Sequence, residues 1–218
     1  MLQLHTQRGF TLIEIMISIA IFTIVMTVGV SAVLNANAIH KVNQSQRALM
    51  DNLNFIFEDM SRNIRLGANY YCLDAGGSYE VAVTQTADPV LGAPAHDCTG
   101  TGASALAFEP MEGVRADMND QVVYAIASSI GGPMCDDQNP CKIFKSIDGG
   151  HSFANVTPTE VIIDPARSGF SVYGTLTSVD GDTTQPAVVI RLAGSIKYKT
   201  VVTPFDVETT VTERATDN

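Results

Sequence analysis

Basic residues are scarce in this chain. Thirteen Lys and Arg face 23 Asp and Glu, a formal net charge of −10 over 218 residues. A polyanion binder needs Lys and Arg to neutralise phosphates, so nucleic acid is disfavoured as the main partner. Short catalytic signatures are missing too. No nucleophile elbow, metalloprotease helix or phosphate loop occurs, and His5, His40, His96 and His151 are scattered. The cysteine spacings, Cys-x25-Cys and Cys-x5-Cys, match no common zinc pattern. No proline precedes Pro89, and no charge falls between Ile15 and Leu34. What remains is 45% apolar and 17% charged, which excludes a disordered acidic chain and leaves material for a core.

The uncharged stretch Ile15–Leu34 is twenty residues long, with only small polar interruptions at Ser18, Thr23, Thr27, Gly29 and Ser31. As a helix it can cross a hydrocarbon layer about 30 Å thick. A secretory signal cleaved after Ala36-Asn37-Ala38 is one reading, but its apolar region would be too long. A plain membrane anchor is a second. It leaves Glu14 unexplained, a carboxylate between Ile13 and Ile15 that costs about 2.5–3.5 kcal/mol at the centre of a bilayer and less near its interface. Lys41 and Arg47 follow the span, so the charge bias alone does not place the N-terminus inside.

A third reading accounts for that acid. Gly9-Phe10-Thr11-Leu12-Ile13-Glu14 followed by an apolar helix resembles the class III signal of type IV prepilins and type II secretion pseudopilins. The resemblance covers residues 8–34. It implies that residues 1–9 are a leader, that a prepilin peptidase cuts after Gly9 on the cytoplasmic side, and that Phe10 becomes the N-methylated mature terminus. It implies too that Glu14 pairs with the terminal amine of a neighbouring subunit, fixing register within a helix bundle. The remaining implied partners are the lipid bilayer, other pilin or pseudopilin subunits docking through the N-terminal helix, and an inner-membrane assembly platform. The implied location is the cytoplasmic membrane, as a single-pass protein with its C-terminal domain extracytoplasmic, and then a cell-surface or periplasmic filament.

Two features refine the resemblance. Many major pilins carry a mid-helix proline where this chain has Ser31, and Gly29 is the nearest helix-weakening residue. The stretch 51–65, with Met60-x-Arg62-x-x-Arg65, is similar to the helix end of J-type pseudopilins and W-type minor pilins. A minor subunit is therefore expected rather than a major one.

Beyond the span, Ile39, Val42, Leu49, Leu53, Ile56, Phe57, Met60 and Ile64 form one helical stripe, interrupted at Gln46. Residues 10–34 are thus expected as the membrane and assembly helix, and 35–67 as its amphipathic second half. Gly67 reads as the C′ cap, with Arg62 and Arg65 in the last turns. Residues 68–104, rich in Gly, Ala, Thr, Asp and Pro, read as an irregular insertion of a β domain over 68–218. Strand-like runs occupy 105–109, 121–126, 142–146, 160–164, 168–173, 187–192 and 200–212. Turns fall at Gly131-Gly132-Pro133, Asp148-Gly149-Gly150 and Asp180-Gly181-Asp182. The expected fold is α+β: a long N-terminal helix whose second half packs on an antiparallel sheet.

An even cysteine count in an exported chain favours disulfides. Three connectivities are open. Cys72–Cys98 would close the irregular insertion and Cys135–Cys141 would clamp a short polar loop, so that pairing is expected. Ser146-Ile147-Asp148-Gly149-Gly150-His151-Ser152-Phe153 resembles the Asp-box of sialidase-type propellers, a hairpin without catalysis. A propeller needs many such units and the chain has one. Asp136-Asp137 and Asp180-Gly181-Asp182-Thr183 offer oxygens for calcium, which some pseudopilins bind, but no full ligand loop is present. No cofactor or metal is expected. The reading is a non-enzymatic pilin-like subunit of a type IV pilus or type II secretion pseudopilus. An adhesion or ligand-binding module carried on such a helix, sited in residues 68–104, is the alternative, and a secreted or anchored enzyme a more distant one.

Overall fold

The computed structural model of the chain describes residues 9–73, 95, 97–114, 117, 119–130, 135, 136, 138–175, 184–198 and 201–214. Most of the leader, the bulk of the insertion at 74–94, and the turns at 131–133 and 180–183 lie outside the described residues. One helix, α1, runs Leu12–Leu66. Among the described residues ten strands follow: β1 Ala68–Leu73, β2 Cys98–Ala103, β3 Ala105–Glu109, β4 Val122–Ala127, β5 Lys142–Ser146, β6 Ala154–Asn155, β7 Val161–Ile163, β8 Gly169–Tyr173, β9 Ala187–Tyr198 and β10 Val201–Thr212. This is an α+β, pilin-like architecture. The chain divides into two compact units, Met1–Ser45 and Gln46–Asn218.

The second unit holds the core. Its strands form two antiparallel sheets where one was expected, in the orders β1-β3-β4-β5-β6 and β10-β9-β8-β2, with β7 pairing β9. The irregular stretch anticipated at 68–104 begins and ends in strands, β1 and β2. Cys72 in β1 is bonded to Cys98 in β2, which links the two sheets. Cys135 is bonded to Cys141, and Cys141 also pairs with Ile163 of β7 through its backbone.

The helical stripe behaves as its spacing dictates from Leu49 onward, whereas Ile39, at its start, is exposed. Leu49, Leu53, Ile56, Met60 and Ile64 are all buried in one cluster with residues of both sheets. Gln46, the polar break in the stripe, is half-buried and donates from Nε2 to Thr203 Oγ1 at 2.7 Å. Burying an amide in this way is tolerable because it is hydrogen-bonded. β3 and β4 are buried at every position, so the first sheet is covered on both faces. Leu106, Phe108, Tyr124 and Ile126 point into the main cluster, while Ala105, Ala107, Val123, Ala125 and Ala127 face the other way under Tyr71, Phe144 and Phe153.

The helix end differs from the expected glycine cap. Gly67 N donates to Ile64 O at 3.0 Å, and the left-handed residue is Asn69, at φ 62°. Gly67 is needed for another reason: a Cβ there would overlap the Phe108 ring. The terminal carbonyls are satisfied from outside the helix. Tyr70 Oη lies 2.7 Å from both Ile64 O and Gly67 O, and Arg214 N donates to Arg65 O at 2.9 Å. Burial, with the Glu213 charge in second place, pushes the Tyr70 phenol well above its ordinary range, so it stays a donor at every physiological pH.

Candidate functional site: the apolar helix segment and its polar groups

In the first unit, the sequence Thr11-Leu12-Ile13-Glu14 starts the helix as a capping-box pattern. Glu14 N lies 3.4 Å from Thr11 Oγ1 and 3.1 Å from Thr11 O, and Ile15 N lies 3.3 Å from Thr11 O. Thr11 therefore serves as N-cap, a role the sequence signals by Thr-x-x-Glu and that the reading above did not use. Glu14 sits in the first turn, where the helix N-terminus favours negative charge. Among the described residues its carboxylate has no hydrogen-bond or ion-pair partner.

From Glu14 onward the apolar surface is continuous. Large side chains from Phe10 (79% exposed) to Leu34 (65%) lie uncovered within this unit. The helix is long and apolar enough, by length and composition, to cross a membrane. Its hydroxyls do not oppose that. Ser18 Oγ donates to Glu14 O at 2.7 Å, Thr23 Oγ1 to Ala20 O at 2.9 Å, Thr27 Oγ1 to Thr23 O at 2.7 Å and Ser31 Oγ to Thr27 O at 2.8 Å. Each hydroxyl is satisfied about one turn back, so only Glu14 carries an unmet polar demand along this surface. The helix continues unbroken through Gly29 and Ser31.

Gly9 precedes the helix and is exposed, and a Cβ there would meet nothing within 4 Å. Its φ is not in the left-handed region. Among the described residues nothing packs against this position.

Two further polar clusters lie in the second unit. On the helix, Asp59 Oδ2 accepts from Lys145 Nζ at 2.7 Å and from Tyr124 Oη at 2.8 Å, and Asp59 Oδ1 accepts from Asn63 Nδ2 at 3.0 Å. Partial burial would raise the Asp59 carboxyl, but the bonds from Lys145, Tyr124 and Asn63 outweigh it and hold it below the usual carboxylate range. Burial, then the Asp59 charge, raises the Tyr124 phenol. With every partner in place, this is a latch between the helix and β4–β5 and has no vacant acid or base.

The Asp-box segment forms the turn between β5 and β6. Ser146 Oγ donates to Asp148 Oδ1 at 2.6 Å, Gly150 N to Ser146 Oγ at 2.9 Å and Ser152 N to Asp148 Oδ1 at 2.9 Å. Gly149 and Gly150 take positive φ values of 67° and 88°. The turn delivers Phe153 onto the alanine face of the first sheet, a packing role. His151 Nδ1 lies 2.6 Å from Asp148 O. In the other acidic turn, Asp136 Oδ1 accepts from Gln138 N at 2.7 Å and from Asn139 N at 2.6 Å. Asp137, His5, His96 and the Asp180–Thr183 segment lie outside the described residues. Among the described residues no three His, Cys, Asp or Glu side chains come together as a metal site.

One family model matches the N-terminal segment of the chain. Residues 4–30 match the family model of the prokaryotic N-terminal methylation motif. The match spans Gly9, Phe10 and Glu14, and it supports the class III signal of the type IV pilin and pseudopilin family and a processed, pilin-like subunit. Comparisons with curated proteins and with solved structures found no match.

Proposed function

We propose that the chain is a structural subunit of a type IV filament system, a minor pilin or a type II secretion pseudopilin, without enzymatic activity. It resides first in the cytoplasmic membrane with the β domain extracytoplasmic. A prepilin peptidase cuts after Gly9 and methylates the amine of Phe10. The subunit then passes from the bilayer into a filament at the cell surface or in the periplasm, exchanging lipid contacts for helix contacts. The carrying observation is the coincidence of the methylation motif with an apolar helix segment, up to Leu34, whose one charged side chain, Glu14, has no partner among the described residues.

The chemistry of the cut supplies Glu14 with a partner. Proteolysis creates an α-amino group with a reference pKa of about 7.7–8.0, and methylation leaves it basic. The amine of a neighbouring subunit, set against Glu14 in a low-dielectric bundle, is costly to separate once formed, which makes the pair a registry device more than a source of net stability. Mass spectrometry of the mature chain tests the first half of this reading: the expected N-terminus is N-methylated Phe10, and a chain starting at Met1 or beyond Ala38 overturns it. For the second half, Glu14→Val should leave cleavage intact and abolish incorporation into filaments. Normal incorporation rejects the pairing.

A further inference from the structure

The free edge of β10 carries a groove with no part in the function above. β10 ends the second sheet, and among the described residues no strand pairs with its outer side. Two residues fix which backbone groups face outwards. Glu213 N donates to Pro186 O at 2.9 Å, so odd-numbered residues of this strand face β9. Pro204, with no N–H to give, stands opposite Ser195 at an even position, where the missing donor breaks no ladder bond. The even residues Thr210 and Thr212 therefore present N–H and C=O to the open side. The next even residue shows what that side can bind: Arg214 N already donates to a carbonyl, Arg65 O.

Beside this edge lies a groove of about 510 Å³, walled on one side by the helix flank with Glu58, Ser61, Arg62 and Arg65 and on the other by Thr209–Thr212. Both arginines are exposed, and among the described residues neither makes an ion pair. In a chain of net charge −10, two guanidinium groups outside any ion pair, against the single acid Glu58 in the same groove, are still a local reversal of sign. Further along the same edge Pro204 lacks a donor, and Asp206 and Glu208 are engaged by Arg167 and Arg191. The Thr-rich end is where the groove opens, and it is the end that the arginines flank.

We propose that this groove takes an extended acidic segment of another polypeptide, which adds a short strand to β10 at Thr210–Thr212 and sets its carboxylates against Arg62 and Arg65. Main-chain bonds supply the affinity and the arginines the charge selectivity, as in other strand additions. Guanidinium forks suit carboxylates in particular. The inference is independent of the filament reading, because it uses only residues of the second unit.

The test uses the full chain in detergent micelles and a fluorescein-labelled, end-capped heptapeptide alternating valine and glutamate. Expected are saturable binding by anisotropy and slowed deuterium exchange at the Thr210 and Thr212 amides. Arg62→Gln with Arg65→Gln should weaken binding at least about tenfold, or about 1.4 kcal/mol. Thr210→Pro removes only an outward N–H, so near-UV circular dichroism should be unchanged and binding lost. A peptide N-methylated at alternate amides leaves the protein untouched and should not bind. Absence of binding up to about 1 mM peptide overturns the proposal. So does equal binding of the N-methylated peptide. Equal competition by inorganic phosphate or oligothymidylate overturns it as well, by making the groove a general anion site.

Discussion

Lys145 Nζ lies 2.7 Å from Asp59 Oδ2, and that one oxygen holds β5 to the helix while Tyr124 brings β4 to the same point. The folded Asp59 carboxyl titrates below its unfolded value. Its contribution is therefore present above the unfolded pKa of about 3.9 and is lost as pH falls through the folded value. The side chain is 36% exposed, so solvent screening limits the pair to about 1 kcal/mol or less. Asp59→Asn should lower the melting temperature by about 2–4 °C at pH 7. At pH 3 the mutant and wild-type curves should draw together. Thermal melts followed by tyrosine near-UV circular dichroism check both points.

Two glycines separate soft from hard obstruction. At Gly67 a Cβ would meet the Phe108 ring, a side chain that can shift; at Gly194 it would meet Ile162 O, the backbone of β7. Gly67→Ala should cost about 1–3 kcal/mol, the usual range for overpacking. Gly194→Ala should cost more, because a strand pairing must open to admit it. Phe108→Leu in the Gly67→Ala background should recover part of the loss, and in the Gly194→Ala background none. Denaturant titrations of the four variants decide the ordering.

Helix and motif were legible because their signals are local. A single 3.6-residue stripe and twenty uncharged residues specify the helix, and Gly9, Phe10 and Glu14 lie within six positions of one another. Seven of the ten described strands also stood out as apolar runs. β1, β2 and the two-residue β6 did not. Tyr70 and Cys72 alternate with polar or half-exposed residues over too short a span, and β2, Cys-Thr-Gly-Thr-Gly-Ala, has almost no apolar content. Its strand state comes from pairing with β8 and from the bond to Cys72, both long-range. The partition into two sheets is likewise a matter of pairing, which no run of residues encodes. Asp59 and Lys145 stand 86 positions apart, so their junction carries no sequence signal.

The two disulfides should differ in weight. Cys72–Cys98 closes a separation of 26 residues and joins strands of different sheets; Cys135–Cys141 closes a separation of 6. In the chain-entropy account the first is worth about 3–4 kcal/mol and the second about 2–2.5 kcal/mol. Paired Cys→Ser replacement should therefore reduce stability more at 72/98 than at 135/141. Unfolding of each double mutant in urea, with the other bond intact, tests the order.

Asp148 offers the sharpest local prediction. Its carboxylate accepts from Ser146 Oγ and from both the N–H and the hydroxyl of Ser152, and these bonds, Ser146 first, hold it well below the usual carboxylate range. A depressed folded pKa means the stabilisation is complete above the unfolded value and disappears only when acid reaches the folded one. The β5–β6 turn should thus keep its bonds in acid that protonates ordinary aspartates. Asp148→Ala removes the acceptor for Ser152 N and frees Ser146 Oγ, so the left-handed pair Gly149-Gly150 loses its anchor. Deuterium exchange at the Gly150 and Ser152 amides should rise sharply, and Phe153 should lose its seat on the alanine face. The helix amides of α1 should be unchanged. Exchange confined to the turn supports the assignment of the Asp-box as a packing device, and spread to β3 and β4 would show that the alanine face depends on Phe153 for its stability.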